Sequence, residues 1–125
     1  MNAMHLPGDL IAADGSEPRA LRNLLGQFAT GVTVITTRGA DGRKVGMTAN
    51  SFSSVSLEPP LVLWSLARTA PSVNDFLAAS HFAINVLGSD QHGLSGHFAR
   101  PAADKFAGIE HVEATAGVPL LDGAI

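Results

Sequence analysis

Val32-Thr33-Val34-Ile35-Thr36-Thr37 is an unbroken run of β-branched side chains. Two heavy atoms on each Cβ restrict χ1, crowd the preceding turn of a helix and suit a pleated surface, so this run predicts a strand. Asp41-Gly42 follows, a pair that favours the positive φ of a tight hairpin turn. Arg38 to Lys44 should therefore fold the chain back into a second strand beginning near Val45. No Gly-x-Gly-x-x-Gly turn follows the first strand, which disfavours a doubly wound dinucleotide-binding sheet.

The rest of the chain supports a mainly β architecture. Pro59-Pro60 breaks the chain ahead of Leu61-Val62-Leu63-Trp64-Ser65-Leu66, which reads as a mostly buried strand. Between His81 and Leu87, Phe82, Ile84 and Val86 alternate with Ala83 and Asn85, the period of another strand. Helices are short. Ser16 caps one whose apolar residues Leu21, Leu24, Leu25 and Phe28 recur at helical spacing. Ser72 caps a second through Ala79, with Asp75 as a shortened capping box and Val73, Phe76 and Leu77 facing inward. A third is expected between Ser89 and Phe98, then a turn or loop from Pro101 to Phe106. Residues 1–15 lack apolar periodicity and read as a flexible lead-in to one domain over 16–125. Gly108 to Ile125, with Gly117, Pro119 and Gly123, offers little regular pattern. The sum is a small β-barrel with peripheral helices.

Composition removes several functions. With 125 residues, 46% of them hydrophobic, the chain can bury one core. The net charge of −3 is spread along the sequence without a basic stripe, so nucleic acid is not an expected partner. There is no cysteine, which removes disulfides, thiolate metal sites and thiol nucleophiles and fits a reducing cytoplasm. No apolar stretch approaches the ~20 residues that span a bilayer, so no membrane association is expected. His92 and His97 are five apart and share no helical face, and no clustered carboxylate completes a metal site. A Gly-x-Ser-x-Gly elbow is absent too, leaving hydrolase chemistry without a nucleophile. Redox chemistry would have to come from a bound cofactor.

Two segments carry the pattern of a ligand site. In Gly46-Met47-Thr48-Ala49-Asn50-Ser51-Phe52, small side chains allow a flat ligand close to the backbone while hydroxyls and an amide meet its polar edge. The same composition describes an edge strand with a polar outer face. In Ser65 to Ser72 a strand ends in a loop carrying Arg68 and leads into a helix start, where N–H groups and the helix dipole favour an anion such as a phosphate. A helix-capping serine beside a solvated arginine is the plainer account of that segment. Phe98 and Phe106 flank Arg100, Asp104 and Lys105 and either cover a ring or belong to the core, the latter favoured on physical grounds.

Taken in order, Phe28-Ala29-Thr30-Gly31-Val32-Thr33-Val34-Ile35-Thr36-Thr37, then Gly46-Met47-Thr48-Ala49-Asn50-Ser51-Phe52 and Ser56-Leu57-Glu58-Pro59-Pro60-Leu61-Val62, resemble the short-chain flavin reductases. Phe82-Ala83-Ile84-Asn85-Val86-Leu87, Leu94-Ser95 with Phe98, and Asp104-Lys105-Phe106-Ala107-Gly108 continue the resemblance. It covers roughly residues 19 to 124. The family implies an FMN-binding split β-barrel, Greek-key-like, working as a homodimer in the cytoplasm. Its implied activity is transfer of a hydride from NADH or NADPH to FMN or FAD, supplying reduced flavin to a partner monooxygenase. The alternative is a flavin-binding module without turnover of its own.

By position in that family, Thr48, Ala49, Asn50 and Ser51 would lie along the isoalloxazine and ribityl chain. Ser65, Leu66 and Ala67 would continue that wall, Ser72 would sit near the phosphate, and Phe98, Lys105 and Phe106 match a segment that closes over the flavin. The resemblance assigns no side chain as acid or base. It also implies further strands past the position of Ile125, among them a Gly-Asp-His segment and an aromatic-rich stretch near the nicotinamide side, so the domain is expected to be C-terminally incomplete relative to the family.

Overall fold

The computed structural model describes Arg19 and residues 31–125. The chain divides into two units, residues 1–30 and 31–125. The expected lead-in and the helix from Ser16 to Phe28 lie outside the described residues, apart from Arg19, which is helical.

The described chain is mainly β, as the sequence predicts. Its strands are β1 (Thr33–Arg38), β2 (Lys44–Ala49), β3 (Ser53–Leu57), β4 (Pro60–Leu63), β5 (Ala83–Val86), β6 (His111–Glu113) and β7 (Pro119–Leu121). Two short helices, α1 (Val73–Ala78) and α2 (His92–Ala99), lie between them, α2 continuing from a 3₁₀ turn at Ser89–Gln91. The strands form a three-stranded sheet in the order β2-β1-β5 and two two-stranded sheets, β3-β4 and β6-β7, all antiparallel.

The β-branched run occupies the centre of the three-stranded sheet. Val34, Ile35, Thr36 and Thr37 are wholly buried, so both faces of β1 are covered. The predicted turn is present: Gly42 has φ 85°, where a Cβ would be strained, and the Asp41 carboxylate accepts from Arg43 N at 3.0 Å. Register then places Val34 and Thr36 opposite Thr48 and Gly46 on one side and Val34 opposite Asn85 on the other. Because side chains alternate with period two, these five share one face. That face meets a core of Val34, Phe98, Phe106 and Leu121.

Asn85 is the buried residue of β5, while Phe82 stays half exposed. Its amide nitrogen donates to Val34 O at 2.9 Å and to Thr36 Oγ1 at 3.0 Å, and its oxygen accepts Leu121 N at 2.9 Å. Thr36 Oγ1 in turn donates to Pro119 O at 2.6 Å. This closed polar lattice ties β7 to the sheet, and among the described residues no buried side-chain polar atom is left without a partner. The stretch after Gly108 is therefore more ordered than its sequence predicts. Residues His111 to Glu113 and Pro119 to Leu121 pair across a turn in which Ala116 and Gly117 take positive φ.

Three further expectations are corrected. The strand after Pro59-Pro60 is not buried among the described residues: β4 runs only from Pro60 to Leu63, every residue is exposed, and among those residues its one pairing partner is the mostly exposed β3. An apolar run fixes a preference for strand but not the layer that covers it. Ser72 precedes α1 without making a side-chain cap, and Asp75 supplies no capping box because its carboxylate pairs with Arg43 Nη2 at 2.6 Å. Leu77 points outward, 79% exposed, since a helix of six residues buries a narrow stripe. Phe76 supplies that stripe, meeting Trp64 edge to face at 5.0 Å, and Trp64 meets Phe82 at 5.7 Å.

Candidate functional site

Thr48 lies one strand position pair beyond Gly46 on β2, on the face turned toward α2. Its hydroxyl donates to Ser95 O at 2.6 Å, joining the strand to the helix. Gly46 is where the two elements approach most closely: a Cβ built there would stand 2.8 Å from the Phe98 ring and 3.2 Å from Phe106. The sequence leaves this glycine open between a flat-ligand wall and an edge strand with a polar outer face. The structure gives the space to Phe98, so Gly46 is small for the sake of the core.

Beside this contact opens a cavity of about 390 Å³, within the range of small-molecule sites. One wall is Arg43 with β2 from Lys44 to Thr48, another is Leu66 with Ala70 to Ser72, and the third is Phe98 with the loop that follows it to Lys105. Apolar surface predominates, and no Asp or Glu lines the cavity. Its cations differ in their partners. Arg43 is neutralised by Asp75. Lys44 lies 3.8 Å from the Glu113 carboxylate, which also accepts from Arg38 at 3.2 Å, and 2.8 Å from His111 Nε2. His111 Nδ1 is 2.7 Å from Ile109 O, so Nδ1 carries the proton and Nε2 accepts from the ammonium.

Lys105 has no carboxylate partner among the described residues. Its ammonium donates to Phe98 O at 2.9 Å and Gly46 O at 3.1 Å. Two carbonyls use two of its three N–H donors, and desolvation by burial lowers its pKa from the usual 10.5. A partly buried cation facing a cavity without acidic groups is an environment that favours an anionic ligand.

Five of the residues marked in the sequence line this cavity together: Thr48, Leu66, Ser72, Phe98 and Lys105. Ser51 and Ser65 are also brought together, Ser51 Oγ accepting Ser65 N at 3.0 Å, although neither lines the cavity. Ala49 is buried in the sheet, its carbonyl accepting from Thr33 Oγ1 at 2.6 Å. Asn50 and Ala67 are exposed outside the cavity, and Phe106 belongs to the core. Arg68 is exposed and lines no part of the cavity, in keeping with the plainer account of a solvated arginine. At the start of α1, Val73 N is already bound to Ala70 O at 3.2 Å. The cations at the cavity come instead from Arg43, Lys44 and Lys105.

Arg43, Lys44 and the Ala99 to Ala103 wall escaped the sequence reading. A signal existed for Lys44, because the period of β2 places it on one face with Gly46 and Thr48. The loop had none, as alanines and a proline carry no chemistry of their own. Among the described residues no group of three or more metal-ligating side chains is placed to hold an ion, and no helix is long and apolar enough to cross a membrane.

Comparison with known proteins gives this geometry its kin. The flavin reductase like domain matches residues 25–125. The chain is 51% identical over 108 residues to the stachydrine N-demethylase reductase subunit of Rhizobium meliloti, covering 86% of this chain and 47% of that protein. It is 43% identical over 126 residues to an FMN reductase (NADH) of Agrobacterium fabrum, covering all of this chain and 71% of the relative. The solved NADH:FAD oxidoreductase of Streptomyces globisporus, in complex with NAD and FAD fragments, superposes with a TM-score of 0.83 at 39% identity, covering 93% of this chain and 70% of that one. The chain spans 47%, 34% and 35% of three of its curated relatives, half their length or less. Fold and sequence agree over almost all of the described residues, and the mainly β split barrel expected from the motifs is the fold these neighbours share. The chain belongs to the flavin reductase-like family.

Proposed function

We propose that this chain binds FMN or FAD in the cavity between β2 and the Phe98 to Lys105 loop and takes part in hydride transfer from NADH or NADPH, as the reductase partner of a flavin-dependent monooxygenase. One observation carries the reading. In a chain of this family, Thr48, Leu66, Ser72, Phe98 and Lys105, marked from separate motifs, converge on one cavity with an ammonium that has no acidic partner among the described residues. Among the relatives, one is named an FMN reductase (NADH) and another the reductase component of a flavin-dependent trigonelline monooxygenase.

The residues present fit a flavin. The apolar walls suit a planar ring system, and the cations suit a phosphate or pyrophosphate. The flavin, when bound, supplies the hydride-accepting chemistry. The chain's part is to hold it. Leu66 and the Ala99, Pro101, Ala102 and Ala103 wall present apolar surface over the buried Phe98, and the Thr48 hydroxyl, its proton given to Ser95 O, offers lone pairs to a ligand N–H. Lys105 supplies positive charge in a desolvated setting, where it acts more strongly than in water. No side chain is needed as acid or base, and alignment of the two cofactors carries the catalysis.

The homodimer belongs to the same proposal. Val55, Leu57, Leu61, Val62 and Leu63 are all exposed on the β3-β4 hairpin, an apolar surface suited to burial against a second copy. Sedimentation of the chain should show a dimer that Leu63→Lys dissociates. Anaerobic addition of NADH to the flavin-loaded protein tests the activity. Bleaching of the oxidised flavin is the expected result, whereas stable binding without bleaching would leave a flavin-binding module and remove the reductase assignment.

A further inference from the structure

His97 contributes nothing to the function proposed above, yet it makes one of the shortest hydrogen bonds in the chain. Its Nε2 lies 2.6 Å from Lys105 O. A carbonyl can only accept, so Nε2 carries the proton and donates. The ring stacks edge to face on Phe98, 5.2 Å between centroids, which fixes its direction. Lys105 answers across the same gap: its ammonium donates to the backbone carbonyl of Phe98 at 2.9 Å. Side chain of 97 to backbone of 105, and side chain of 105 to backbone of 98, form a reciprocal clasp.

Between the two halves of that clasp runs the segment from Ala99 to Asp104, every residue of it exposed. Ala99, Pro101, Ala102 and Ala103 nevertheless form one wall of the cavity. Asp104 uses its carboxylate within the loop, accepting Phe106 N at 3.0 Å. A loop of small exposed side chains has little apolar burial to hold it, so its closed ends must fix its path. The reach of the donor matters as well. Gln places an amide N–H about where histidine has Nε2, and Asn, one methylene shorter, does not.

We propose that His97 is a positioning residue: through the Lys105 carbonyl it sets the place of the cavity's loop wall and of the Lys105 ammonium, and so governs how long an anionic ligand is retained. The ligand part of this inference rests on the flavin reading, while the clasp can be tested without any ligand. Amide hydrogen exchange of the ligand-free full chain gives the first readout. His97→Asn and His97→Leu should each speed exchange at Phe106 and across the loop by about tenfold, the loss expected for one net hydrogen bond, and His97→Gln should stay within about threefold of the parent. Unchanged exchange in His97→Asn, or equal acceleration in His97→Gln, would overturn the clasp. Should His97→Leu fail to fold, the Asn and Gln pair decides alone.

FMN titration then reads retention. His97→Asn should weaken FMN by about tenfold, mainly through a faster off-rate, with His97→Gln restoring it. If the parent binds FMN and His97→Asn binds it equally well, the clasp does not govern retention and that part of the inference fails. If the parent binds no FMN, the flavin reading fails instead, and the exchange result still decides the clasp.

Discussion

The three-stranded sheet and the β3-β4 hairpin are built from similar sequence and have opposite environments. Val34-Ile35 and Leu61-Val62-Leu63 are both apolar strand formers, but the first pair is wholly buried while the second group is half exposed, and Leu57 on β3 is 88% exposed. Sheet propensity is the same kind of signal in each. What differs is the neighbour: among the described residues β1 has strands on both edges and packed side chains on both faces, and β4 has only β3. Burial is therefore a property of assembly rather than of the strand, and the hairpin's exposure is what supports the proposed dimer.

The contrast can be broken most forcefully by truncation. Ile35→Ala removes a fully packed side chain and should lower unfolding free energy by about 2–5 kcal/mol, whereas Leu63→Ala in dilute chain should change it by about 0.5 kcal/mol or less. Chemical denaturation of the two variants measures the difference. Equal losses at a concentration below association would mean that the hairpin is packed in the single chain.

Asn85→Ala probes the polar side of the same sheet. It strands Leu121 N–H and frees Thr36 Oγ1, for an expected loss of about 1–3 kcal/mol. Because the lattice holds β7, exchange at Leu121 should accelerate more than exchange in β2, and a uniform change would contradict that local role.

A smaller effect concerns pH. Burial lowers the Lys105 pKa in the folded chain below its unfolded value of 10.5. Between those two values the unfolded chain holds more protons, so stability contributed through Lys105 rises with pH in that window, and the penalty of the buried charge is present in full below it. Unfolding free energies of the parent should therefore gain on those of Lys105→Met as pH approaches 10.5. A constant or shrinking gap would contradict the desolvation.

Much of the fold is legible because its signals are local. The β-branched run, Asp41-Gly42, the Pro59-Pro60 break and the helix ending near Phe98 each state a conformation within a few residues. The strands β6 and β7 are not legible, since three residues apiece hold no periodicity and their order comes from Asn85 and Thr36 far away in sequence. Of the site, the hydroxyl-bearing and apolar positions could be marked from motifs. Asn50, Ser65, Ala67 and Phe106 were marked in the same way and lie elsewhere in this chain. Arg43 joins Lys44 and Lys105 at the cavity without a local signal of its own, because a cation's distance along the chain says little about its place across the fold. Lys105 stands apart by having no acidic partner among the described residues, and that is visible only in three dimensions.

The cavity between β2 and the Phe98 to Lys105 loop is the proposed flavin site. Titrating FMN into the full chain and into Lys105→Glu, followed by flavin fluorescence, tests it most directly. Saturable one-to-one binding by the parent and loss of affinity by about a hundredfold or more on charge reversal, given an attraction turned to repulsion at a partly buried position, are predicted. No binding by the parent, or equal binding by both proteins, would contradict it.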